Sequence, residues 1–122
     1  MKFAINVGLH VSGGDNSASA VFARAVIAHL AIGGFIGSRG SYNDRQVYRG
    51  GQEPTLIVKG YLSKVSMPEL ENLLFELAIS MQQACIAVAE LDADDKPVNG
   101  QLIGPNAAAW GAFNPDYFVL AN

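Results

Sequence analysis

Apolar and polar residues alternate strictly from Lys2 to Val11. Phe3, Ile5, Val7, Leu9 and Val11 fall on one side, and Lys2, Ala4, Asn6, Gly8 and His10 on the other. A period of two over ten residues predicts a strand with one buried face. Ser12-Gly13-Gly14-Asp15-Asn16-Ser17 is then a turn by composition, and Asn16 or Ser17 can cap a following helix. That helix is predicted over Ala18–Ala31. Phe22, Val26, Ile27 and Leu30 form its apolar face, and Gly33-Gly34 ends it.

Residues 35–53 carry weaker signals. Phe35-Ile36-Gly37 can open a strand, and we read an irregular strand near 36–43, then a loop or hairpin centred on Gly50-Gly51. Thr55–Leu62 alternates again, with Leu56, Val58 and Leu62 on one side and Pro54 at its entry. Ser66 and Glu69 have capping-box spacing, Pro68 suits a first helical turn, and Leu70, Leu73, Leu74, Leu77 and Met81 form a stripe. This second helix is predicted to end near Gln83. Ala84–Leu91 is a short apolar run, read as a central strand. Turn residues follow at 92–97 and at Asn99-Gly100, and Val98–Ile103 can pair as a short hairpin. Asn106 can cap one helical turn over Ala107–Trp110, and Tyr117–Leu120 is a candidate edge strand.

The order strand, helix, strand, strand, helix, strand predicts an α+β two-layer sandwich, closed as split βαβ units. It resembles the ferredoxin-like plait over residues 2–91, by element order alone. Residues 92–122 are read as a C-terminal aromatic appendage within one domain spanning 1–122. That resemblance implies no activity, because the plait hosts many. The tail residues Gly104, Pro105, Trp110, Gly111, Phe113, Asn114, Pro115 and Asp116 resemble those of small bacterial and phage proteins without an assigned activity.

Composition narrows the functional classes. Half of the 122 residues are hydrophobic and 16% are charged, against about 25% charged in ordinary globular chains. This apolar excess predicts surface buried in a homo-oligomer, a dimer first. A net charge of −3 argues against a nucleic-acid partner, which needs a basic face. The N-terminal residues lack the apolar core of a secretion signal, and we read no apolar run of about 18 residues. The expected location is the cytoplasm, without membrane contact.

The lone Cys85 lies in an apolar run and reads as a small buried hydrophobe. His10 and His29 sit on separate elements without further ligands at metal spacing. Asp92, Asp94 and Asp95 lack calcium-loop spacing. The Gly-rich turn 12–17 matches no phosphate-binding motif. No cofactor, metal or catalytic constellation is therefore expected.

Two segments suggest interaction. Arg39, Tyr42, Arg45, Tyr48 and Arg49 interleave guanidinium groups and phenol rings, the side chains favoured at binding hot spots. With His10 they form the candidate partner or ligand site. Trp110, Phe113, Tyr117 and Phe118 concentrate aromatic area in the tail and form the candidate interface. The first-ranked reading is a non-enzymatic interaction protein acting as a small oligomer, extending to a phage- or mobile-element-encoded inhibitor of a host protein. The alternatives are a small-molecule or nucleotide-binding domain, with contacts from Ser12–Ser17 and the arginines, and a small enzyme using His10 as acid or base.

Overall fold

The computed structural model describes residues 1–37, 40–49, 53–63 and 66–110; for residues 42–49 and 53 it describes the backbone alone. Five strands, β1 (Lys2–Gly8), β2 (Gly40–Arg49), β3 (Glu53–Leu62), β4 (Ile86–Leu91) and β5 (Pro97–Ile103), form one sheet in the order β2-β3-β1-β4-β5. Every neighbouring pair is antiparallel. Helices α1 (Ala18–Ile36) and α2 (Met67–Ser80) complete a two-layer α+β sandwich. β3 lies between β1 and β2, and β1 lies between β3 and β4. The two strand–helix–strand units are thus interleaved, and β1 is central.

The alternation in β1 divides the molecule. Phe3, Ile5, Val7 and Leu9 are fully buried against residues from both helices. Ala4, from the opposite face, packs with Ala87, Ala89 and Leu91 in a smaller cluster that Leu102 flanks.

The helix α1 departs from expectation in two ways. It runs through Gly33 and Gly34 to Ile36, and Gly37 caps it with a φ of 41° and an N–H that donates to the Gly33 carbonyl. Two glycines cost a helix roughly 1 kcal/mol each against alanine. Burying Ile32 and Ile36 completely offsets that, at about 1.5–3 kcal/mol per large aliphatic side chain. A strand opening at Phe35 is thereby excluded. The second correction concerns the face. Val21, Ala25, Ala28, Ile32 and Ile36 face the sheet, while Phe22, Val26, Ile27 and Leu30 are exposed. The helix carries apolar residues on two opposite sides, with Arg24 and His29 between them, so periodicity marks two competing stripes. The stripe with small alanines lets the helix approach the sheet closely.

The stretch read as a loop near 44–49 is also strand. β2 pairs with β3 from Gly40 opposite Leu62 to Arg49 opposite Glu53. Ladder hydrogen bonds along ten residues outweigh the low strand propensity of Ser41, Asn43 and Asp44. At the start of this ladder the backbone needs glycine, because a Cβ on Gly40 would collide with the Tyr61 carbonyl oxygen.

The helix α2 follows its pattern. Ser66 caps it, its hydroxyl accepting from the Glu69 N–H at 3.4 Å and donating to the Glu69 carboxylate at 3.2 Å. Leu70, Leu74, Leu77 and Met81 are buried. α2 stops at Ser80, slightly before the expected Gln83. Pro97–Ile103 pairs with β4 as the fifth strand, and Ala107–Trp110 is a single 3-10 turn. The expected strand at 117–120 lies outside the described residues.

One further expectation needs correction. By length and composition α1 reaches a membrane span, with 19 residues and a mean hydropathy of 1.7. Arg24 is its one charged residue, and a single charge does not interrupt the run. In the fold, α1 packs one face on the sheet.

Candidate functional site

The end of β1, the start of β3, the exit from α2 and the segment after β5 meet around a cleft. Its outer part, about 710 Å³, is lined by His10, Ser12, Asn16, Ile79, Gln82 and Trp110, among others. An adjoining recess of about 180 Å³ is lined by Asn6, Thr55, Cys85, Ala87 and Leu102, among others. His10, Gln83, Ala84 and Trp110 line both parts, which therefore adjoin.

The wall at residues 9–17 is held by side chains. Asn16 accepts from the Val11 N–H at 2.8 Å and donates back to the Val11 carbonyl at 3.1 Å. Arg24, from α1, donates to the Leu9 carbonyl at 2.9 Å, to the Asn16 side-chain oxygen at 3.0 Å and to the Asp15 carbonyl. The Asp15 carboxylate accepts from the Ser17 N–H at 2.9 Å. That backbone bond and then the Ser17 hydroxyl hold Asp15 below the usual carboxylate range; burial opposes them, and the Arg24 charge adds the smallest effect. Ser17, not Asn16, caps α1. The Gly-rich turn is therefore a braced strand–helix connection.

The opposite wall is the exit from α2. The Gln83 N–H bonds the Ala78 carbonyl at 2.9 Å and the Gln82 N–H bonds the Ile79 carbonyl at 3.1 Å. This is a Schellman closure, which places one residue in the left-handed region. Here that residue is Gln82, with a φ of 56°, where glycine is usual. The closure aims Gln83 across the cleft, and its side-chain amide donates to the His10 carbonyl at 2.6 Å.

The floor comes from close backbone approach. The Asn106 N–H bonds the Ala84 carbonyl at 3.0 Å. A Cβ on Gly104 would collide with that carbonyl and lie 2.6 Å from Cys85 Cα. This approach brings Trp110, 61% exposed, to the cleft rim.

Chemically, the lining is uncharged and rich in hydrogen-bonding groups. No Lys, Arg, Asp or Glu lines either part among the described residues. Burial alone pushes the Cys85 thiol above its ordinary range. The Thr55 hydroxyl oxygen is buried without a hydrogen-bond partner, the one such side-chain atom among the described residues. An unmet buried hydroxyl costs about 1–3 kcal/mol.

Of the residues singled out in the sequence, His10 and Trp110 come together here, with Ser12 and Asn16 from the turn. Tyr42, Arg45, Tyr48 and Arg49 lie on β2, in the stretch 42–49 described by its backbone alone. Arg39, Phe113, Tyr117 and Phe118 lie outside the described residues. Sequence reading missed Thr55, Gln82 and Gln83. Ordinary polar residues in a strand and at a helix end leave no local signal of a shared cavity.

No family model matches the chain, and no curated protein matches it. One solved structure is similar, titled "phage SAM lyase in apo state". It is 18% identical, with 84% of this chain and 86% of that chain covered and a TM-score of 0.44.

Proposed function

We propose that this protein binds a small molecule in the cleft between His10, Thr55, Gln83 and Trp110. The observation that carries this reading is the buried, unpartnered hydroxyl of Thr55, a residue that lines the smaller recess. A polar ligand atom in that recess, met by a rotation of the Thr55 side chain, would supply its missing hydrogen bond. The cleft volume lies within the range of small-molecule sites, and bracing of both walls by Arg24, Asn16 and Gln83 favours a preformed site. An uncharged lining suits a ligand whose inserted part is neutral and planar, with hydrogen bonds at its edge and a face for Trp110. It does not suit an inserted phosphate, which narrows the nucleotide reading to a base or nucleoside-like group.

Adenosine and SAM are suitable probes. Both present a planar base with a polar edge, and SAM adds a charged tail that the open rim leaves in water. We expect at least one to raise the melting temperature. Thr55→Val should weaken that binding about tenfold, the loss of one hydrogen bond of about 1.4 kcal/mol, with the melting temperature of the free protein unchanged or raised. Wild-type protein that carries no bound small mass in native mass spectrometry, and that neither probe stabilises, would overturn the reading.

The interaction reading ranked first from sequence is the second proposal. A different observation favours it, the exposed apolar face of α1. Its extension to an inhibitor of a host protein rests on the small size and net charge of −3 of a chain without a catalytic motif.

A further inference from the structure

The outward side of α1 is apolar from Phe22 to Gly34, with the exposed Ser19 one turn before it. Phe22, Ala23, Val26, Ile27, Leu30 and Gly34 are its exposed positions in that stripe. Phe22 and Leu30 are each 65% exposed and Ile27 51%. The two helices contact each other and cover the same core. The outer side of α2 adds the exposed Phe75, while the exposed Ile79 belongs to the cleft lining. Arg24, the one charged residue of α1, is engaged on the loop before it.

We infer that this helix face is where two copies of the chain meet, α1 against α1 about a two-fold axis. Area, symmetry and charge support that occupant. From the exposed fractions, the patch amounts to roughly 500 Å² of apolar surface per copy, at the upper end of what a monomer leaves open. Two such patches bury about 1,000 Å², the floor for a specific interface. The contact is thus a modest one that forms as concentration rises. A stripe without charge is also complementary to itself, as a two-fold contact requires. Ala23 and Gly34 let the second helix approach. A bilayer surface is a poorer match. Helices that lie on membranes flank their apolar face with several lysines or arginines; α1 has no lysine and the chain carries a net charge of −3.

A two-fold axis through the middle of α1 places Ile27 of one copy near Ile27 of the other. Sedimentation velocity of the full chain over a wide concentration range should show a monomer–dimer equilibrium. Ile27→Asp should weaken it at least tenfold. Its side chain is exposed in the single chain, so its circular dichroism and its response to the probes of the cleft should match wild type. Ile27→Cys on a Cys85→Ser background should give a disulfide-linked dimer on mild oxidation, a readout independent of whether the aspartate variant folds. A wild-type chain that stays monomeric throughout, or a dimer that Ile27→Asp leaves intact, would overturn the inference. So would co-flotation of the wild-type chain with phosphatidylcholine–phosphatidylglycerol vesicles that Ile27→Asp abolishes. Loss of dimer with retained ligand binding would leave the cleft reading standing.

Discussion

At the residue scale, one sequence position carries different weight depending on what surrounds it. Cys85 reads as a small hydrophobe, yet it is only partly buried and lines the same recess as Thr55. Burial pushes its thiol up, so the fold favours the neutral form. Its contribution to stability is complete below the ordinary thiol pKa and is lost as pH rises through the raised folded value. Alkylation requires the thiolate. The rate of iodoacetamide modification in the folded protein should therefore reach its half-maximum at a more alkaline pH than that of a free cysteine peptide. A coincident profile would mean that the thiol is fully hydrated. Bound ligand in the recess should slow the reaction at every pH. The legibility of the site also divides at this scale. His10 was visible because it interrupts no pattern and adjoins a turn. Thr55 was invisible because a threonine in a strand is ordinary, and only its lost partner distinguishes it.

At the element scale, the two helix ends make opposite demands on Cβ. Gly34 lies inside α1 with helical backbone and open space where a Cβ would stand. Gly34→Ala should therefore stabilise the protein by about 0.5–1 kcal/mol, by lowering the entropy of the unfolded chain. Gln82 is the reverse case, with a side chain at a left-handed position. Gln82→Gly should relieve about 1 kcal/mol of backbone strain, partly offset by glycine's greater freedom when unfolded. Urea unfolding measures both; a destabilised Gly34→Ala would mean that the last turn of α1 is not regular helix. Gln82→Gly also removes a cleft-lining side chain, so lost probe binding despite gained stability would mark Gln82 as a ligand contact. Caps were the most legible features here. Ser17 and Ser66 act within three residues of themselves, so local spacing suffices to find them. The extent of α1 was not legible, because the reason it passes two glycines is burial of Ile32 and Ile36 under strands distant in sequence.

At the scale of the whole molecule, the apolar excess finds two destinations. Much of it fills the layer between sheet and helices. A further share is displayed on the outer sides of α1 and α2, the surface on which the proposed association rests. The cleft lies at the end of β1 and the dimer face along α1, so ligand binding and association should be separable in the Ile27→Asp and Thr55→Val variants.

Alternation in β1, the cap and stripe of α2, the turn residues and the element order were determined by the sequence alone. Each depends on side chains within a few positions of one another, where periodicity and backbone chemistry act directly. Tertiary structure decided which of two apolar stripes on α1 meets the sheet, since a helix with two apolar stripes has no preferred side until strands are set beneath it. It also decided that 40–49 is strand, since those residues lack strong propensity and are held by pairing with β3. The cleft belongs wholly to this second class. Asn6, His10, Thr55, Gln83 and Trp110 are spread over more than a hundred residues, and only strand order and the close approach at Gly104 gather them around one space.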